Sequence, residues 1–121
     1  MAKKAENKAK NQKQRRINKE KNKLIKLFED IPENQKKLCE KLVDNAAYMA
    51  VTLEDLQQIV NEEGAVIKKK NGNGFIVTQE HPAQKTYTAM VKTYATTVKQ
   101  LSEILPEQQV DSKLMAFLNN D

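Results

Sequence analysis

AVIKKKNGNGFIVTQEHP, residues 65–82, is the one stretch where apolar residues stop recurring at three and four and gather into two short runs. Val66 and Ile67 precede Asn71-Gly72-Asn73-Gly74, and Phe75, Ile76 and Val77 follow it. Asn-Gly is the strongest short-range hairpin signal, because both turn residues tolerate positive φ. The stretch therefore predicts a single β-hairpin over 65–78. Two strands alone are not stable in water, so the core must come from the flanking segments, which carry helical periodicity.

Downstream, His81-Pro82 opens a long helix that holds until Pro106, with Pro82 suited to a first-turn position by its fixed φ and missing N–H. Its apolar positions, Tyr87, Val91, Tyr94, Val98, Leu101 and Leu105, are spaced 4, 3, 4, 3, 4, a heptad seam that asks for a long helix as neighbour. Upstream, the pattern reads as short helices. Leu24, Ile25, Leu27, Phe28 and Ile31 form one stripe closed by Pro32, and Leu38, Leu42, Val43, Ala46, Met49 and Ala50 form a second. Thr52 with Asp55 three residues on resembles a capping box, and Val51 can pack on Leu56, so a new helix is expected after a sharp turn at 50–52 and a stop at Gly64. None of these matches the last helix in length. The seam then faces either two short helices end to end or the same helix of another copy, and the small core favours the second. Tyr87, Val91, Tyr94, Val98, Leu101 and Leu105 are the expected oligomer interface.

The charge is divided sharply. Residues 1–26 hold eleven Lys and Arg against Glu6 and Glu20, a net +9, whereas the whole chain of 121 residues is +5. The remainder, with ten basic and fourteen acidic residues, is net −4. A basic appendage on an acidic body points to a polyanion as partner, nucleic acid first. With Ile17 and small alanines as the apolar content of residues 1–23, that arm is expected to be disordered or helical only when bound. Its DNA-contacting residues are Lys3, Lys4, Lys8, Lys10, Lys13, Arg15, Arg16, Lys19, Lys21 and Lys23. Lys dominates over Arg and aromatics are missing, so the arm is expected to hold phosphates without reading sequence. Five to eight engaged charges would give a log K against log salt slope of about −4.5 to −7.

Three parts follow: the arm 1–23, a helical core 24–106 with the hairpin, and a C-terminal tail 107–121. In the tail, Val110, Leu114, Phe117 and Leu118 form one apolar stripe, which reads as a docking peptide or as a helix packed on the body. A core of roughly 80 residues is marginal alone. One cysteine and one histidine cannot make a disulfide or a four-ligand zinc site, so self-association is the available support. His81 reads as a turn residue and Cys39 as a small core residue. Asn71–Gly74, flanked by strands, is no phosphate loop, and Glu54-Asp55 and Glu62-Glu63 read as solvated helix faces rather than metal ligands. No enzyme, metal or cofactor is expected. No membrane span or apolar signal core is evident, and a cytoplasmic location is expected.

Asn45-Ala46-Ala47-Tyr48-Met49, Thr52-Leu53-Glu54-Asp55-Leu56, the hairpin, His81-Pro82-Ala83 with Tyr87, and a Thr-rich helix ending Leu101-Ser102-Glu103-Ile104-Leu105-Pro106 follow one another in this order. The stretch from Leu24 to Leu105 thereby resembles the small terminase subunits of tailed double-stranded-DNA bacteriophages. The resemblance implies a non-catalytic viral DNA-packaging component that forms a homo-oligomeric ring, binds double-stranded DNA and recruits and regulates the large terminase subunit, an ATPase-nuclease. Val110, Leu114, Phe117 and Leu118 would then dock the large subunit. The family's usual N-terminal helix-turn-helix is missing, since residues before Leu24 are too polar to fold as one, and genome contact falls to the basic arm. The competing expectation is a small nucleic-acid-binding accessory or chaperone protein that works through its lysine-rich end alone. A third is an interaction module with a merely solubilising tail.

Overall fold

The structure, a computed structural model, describes residues 2–105, a mainly helical chain with one hairpin. Its elements in order are α1 (Ala2–Leu27), α2 (Glu33–Glu63), β1 (Val66–Lys70), β2 (Ile76–Glu80) and α3 (Pro82–Ile104). Two of these helices are longer than the sequence pattern suggests.

α1 runs unbroken through the segment expected to be disordered or conditionally helical. Ala, Lys, Arg, Gln and Glu, all strong helix formers, dominate it, and no Gly or Pro interrupts residues 2–27. Nucleation is the costly step of helix formation and propagation is cheap. Leu24 and Phe28, 5% and 4% exposed, anchor the C-terminal end in the core, and the polar residues extend from that anchor. The chain then turns, with Phe28 N–H donating to Ile25 C=O at 3.0 Å and Pro32 at φ −58° leading into α2.

α2 passes straight through 50–52, where a break was expected. Met49, Val51 and Leu53 are all buried there, so packing holds the helix against the local capping signal. Thr52 Oγ1, predicted to cap, is buried without a hydrogen-bond partner among the described residues. At 31 residues, α2 is about 46 Å long and supplies the long neighbour that the heptad seam requires. Both α3 and α1 pack on α2.

The main core gathers Leu24, Phe28 and Ile31 with Cys39, Val43 and Ala46 of α2 and Leu101 and Leu105 from the end of the seam. The assignment of Leu101 and Leu105 to a contact between copies is therefore corrected: at 2% and 4% exposed, both are consumed by the chain's own core. Tyr94 packs against the same cluster, and Tyr87 and Val98 are half-buried. Val91 alone of the six is exposed. Burial pushes the Tyr94 phenol and the Cys39 thiol above their ordinary pKa values, with nearby carboxylates adding to the effect.

β1 and β2 pair antiparallel from Val66 opposite Glu80 to Lys70 opposite Ile76. The connection is five residues rather than a two-residue Asn-Gly turn. Asn71 Oδ1 accepts from the N–H groups of Asn73 and Phe75, both at 3.0 Å, and Gly74 supplies the positive φ, +83°. The base of the hairpin is fastened more firmly. Gly64, at φ +89°, donates to Val60 C=O at 2.7 Å, and His81 N–H donates to Ala65 C=O at 2.8 Å. The His81 side chain caps α3, its Nδ1 accepting from Ala83 N–H at 2.9 Å. That bond leaves the ring proton on Nε2, 3.2 Å from Glu63 Oε1.

Candidate nucleic-acid interface

From Lys3 to Gln12 every residue of α1 is exposed, so its first three turns stand clear of the body. From Lys13 onward the helix lies on α2. Ile17, Leu24, Leu27 and Phe28 face inward, and polar contacts border them. Lys13 Nζ sits 5.0 Å from the Tyr48 ring centroid, within cation–π range. Arg16 spans two carboxylates, 2.6 Å to Asp55 and 2.9 Å to Glu54. Lys21 pairs with Asp44 at 2.7 Å, and Lys23 lies 3.7 Å from Glu20. Hydrogen bonds to Asp55 and then Glu54 raise the Arg16 pKa, and Asp44 does the same for Lys21; both cations stay fully charged.

The ten arm residues thus divide. Arg16, Lys21 and Lys23 have carboxylate partners within the chain, and Lys13 is engaged with Tyr48. Lys3, Lys4, Lys8, Lys10, Arg15 and Lys19 make no salt bridge among the described residues. At 100° per residue, Lys4, Lys8, Arg15, Lys19 and Lys26, spaced 4, 7, 4 and 7, fall within an arc of about 60° opposite the packed side. Glu6 and Glu20 point elsewhere on the wheel, so this face carries no carboxylate. It runs about 33 Å along the helix, and a surface groove lined by Arg15, Asn18, Lys19, Asn22, Lys23 and Lys26 lies along it. Lys26 lies beyond the arm 1–23 to which the sequence confines DNA contact. Its place in the row is legible only once the helix continues through residues 23 and 24.

A straight row of ammonium and guanidinium donors on a rigid rod can engage successive phosphates of a polyanion, Lys as a point charge and Arg as a two-pronged donor. Elsewhere, Lys68, Lys69 and Lys70 are exposed on β1, while Lys36 is bound to Glu33 at 2.9 Å. Val110, Leu114, Phe117 and Leu118 lie outside the described residues. Among the described residues, no group of three or more His, Cys, Asp or Glu is placed to hold a metal ion, and no helix is long and apolar enough to cross a membrane.

Compared with protein-family models, with curated proteins and with solved structures, the chain matches none.

Proposed function

We propose that the protein is a non-catalytic, double-stranded-DNA-binding adaptor that serves viral DNA packaging as a small terminase subunit. The observation that carries the DNA reading is the α1 face of Lys4, Lys8, Arg15, Lys19 and Lys26, a cationic row without a carboxylate. The packaging role rests on the resemblance of the Leu24–Leu105 segment to that family. In this role α1 holds duplex DNA, copies of the body associate as a ring through Tyr87, Val91 and the exposed hairpin, and Val110 to Leu118 engages the large subunit. Light scattering of the full-length protein, with and without a short duplex at low and high salt, tests it. The expected result is a defined multimer at high salt that gains DNA only at low salt.

A second reading, a monomeric or dimeric nucleic-acid-binding accessory protein, is favoured by one observation: Leu101 and Leu105 already satisfy their burial inside the chain. A monomer or dimer under every condition, still binding DNA, would select it and end the ring.

A further inference from the structure

α1 carries more than charge. Asn7, Asn11, Gln14, Asn18 and Asn22 recur at 4, 3, 4 and 4 and so stand in one line along the helix, with Arg15 beside them. All six are exposed. Lysines border the line on both sides: Lys8, Lys19 and Lys26 on one, Lys3 and Lys10 on the other, where Lys21 is held by Asp44. Solubility alone calls for no such segregation of uncharged amides between two cationic rows. We infer that α1 is a recognition helix that lies in the major groove of duplex DNA, its amide line and Arg15 reading base edges while the flanking lysines grip the two phosphate backbones.

The inference rests on the DNA-binding reading above and goes beyond it, since phosphate contact alone carries no sequence information. The dimensions agree. An α-helix about 10–12 Å across fits a major groove about 12 Å wide. From Asn11 to Asn22 the line extends about 16 Å, the length of roughly five base pairs. Side-chain amides are the groups that pair in two-pronged fashion with adenine N6 and N7, and the guanidinium does so with guanine O6 and N7. One internal bond, Gln14 Nε2 donating to Asn18 Oδ1 at 3.0 Å, is exposed and uses neither the Asn18 NH2 nor the Gln14 carbonyl oxygen. The first three turns, with Asn7 and Asn11, stand clear of the body, and Gln14, Arg15, Asn18 and Asn22 remain exposed where the helix lies on α2. The expected target is an adenine-rich site of about five base pairs with a guanine placed for Arg15.

Selection of full-length protein against a randomised duplex pool tests this, followed by binding measurements on the enriched duplex and an unrelated one. An enriched adenine-rich site is expected. Replacing its adenines by 7-deaza-adenine, which deletes the N7 acceptor in the major groove, should weaken binding at least fivefold. Asn11→Ala with Asn18→Ala and Asn22→Ala should cut the preference for the enriched over the unrelated duplex at least tenfold, while the salt slope and the helicity stay as they were. Lys8→Ala with Lys19→Ala and Lys26→Ala should instead weaken both duplexes in parallel and flatten the slope by about 2.7. Binding without any enriched sequence, a preference that survives the amide substitutions, or indifference to 7-deaza-adenine would overturn the inference and leave phosphate binding standing. Failure to bind any duplex would overturn both.

Discussion

His81 joins three parts of the chain through one ring and its own backbone. Its N–H extends the ladder to Ala65, its Nδ1 caps α3 at Ala83, and its Nε2 reaches Glu63 at the end of α2. A cap removed by alanine typically costs about 1 kcal/mol, and an asparagine oxygen can replace the accepting nitrogen. His81→Ala should therefore lower stability by about 1–2 kcal/mol in urea unfolding, and His81→Asn by less than half as much; equal losses would show that the cap is not what matters. Much at this scale was readable in advance. Pro82 at the start of α3 and the positive φ of Gly64 follow from the restricted backbone chemistry of those two residues. Thr52 was not readable. Its capping potential is a local signal, and buried neighbours on both sides of it, Val51 and Leu53, hold the helix through that point. Asn71 was half-readable: the turn is where it should be, but the side-chain oxygen of Asn71 and the glycine at 74 shape it rather than an Asn-Gly pair.

Between elements, α2 behaves toward α1 as a built-in counterion. Asp44, Glu54 and Asp55 occupy three oxygen positions that a phosphate chain would otherwise offer to Lys21 and Arg16. Such exposed pairs contribute little to stability, about 0–1 kcal/mol, but they withhold cations from an external polyanion. Glu54→Gln with Asp55→Asn should release Arg16, strengthen binding to duplex DNA and steepen the salt slope by about 0.9, with the melting temperature little changed. An unchanged slope would place Arg16 outside the interface. The basic character of α1 was plain from composition, but its partition was not, because the partners of Arg16 lie thirty-eight and thirty-nine residues away. The row that includes Lys26 was equally hidden, since it spans a boundary drawn from hydrophobicity.

At the scale of the molecule, charge is divided among the helices: α1 is basic, α2 is acidic, and the lysines of α3, Lys85, Lys92 and Lys99, recur every seventh residue at exposed positions. Mainly helical architecture with one hairpin was legible, because the change of period at 65–82 is sharp and periodicity is a local property. The destination of the heptad seam was not, because the local capping signal at 50–52 divides in sequence the one helix, α2, that is long enough to receive it. Substitutions now separate the two roles of that seam. Leu101→Ala should cost about 2–5 kcal/mol through an internal cavity. Val91→Glu, on the exposed part of the seam, should leave folding intact and lower the native mass if copies associate there. A full-mass assembly with Val91→Glu would move the contact to the hairpin or the tail.

The fastening at the foot of the hairpin has a mechanical side. Glu63, Ala65, His81 and Ala83 lock the pivot between two long helices, whereas Phe75 and Ile76, 70% and 73% exposed at the far end, touch little of the body. A hinge that is stiff where it is rooted and unloaded where it reaches is a lever. Force applied by anything that grasps the tip would be delivered to the first turn of α3 and the last turn of α2 together, the two helices that the hairpin joins.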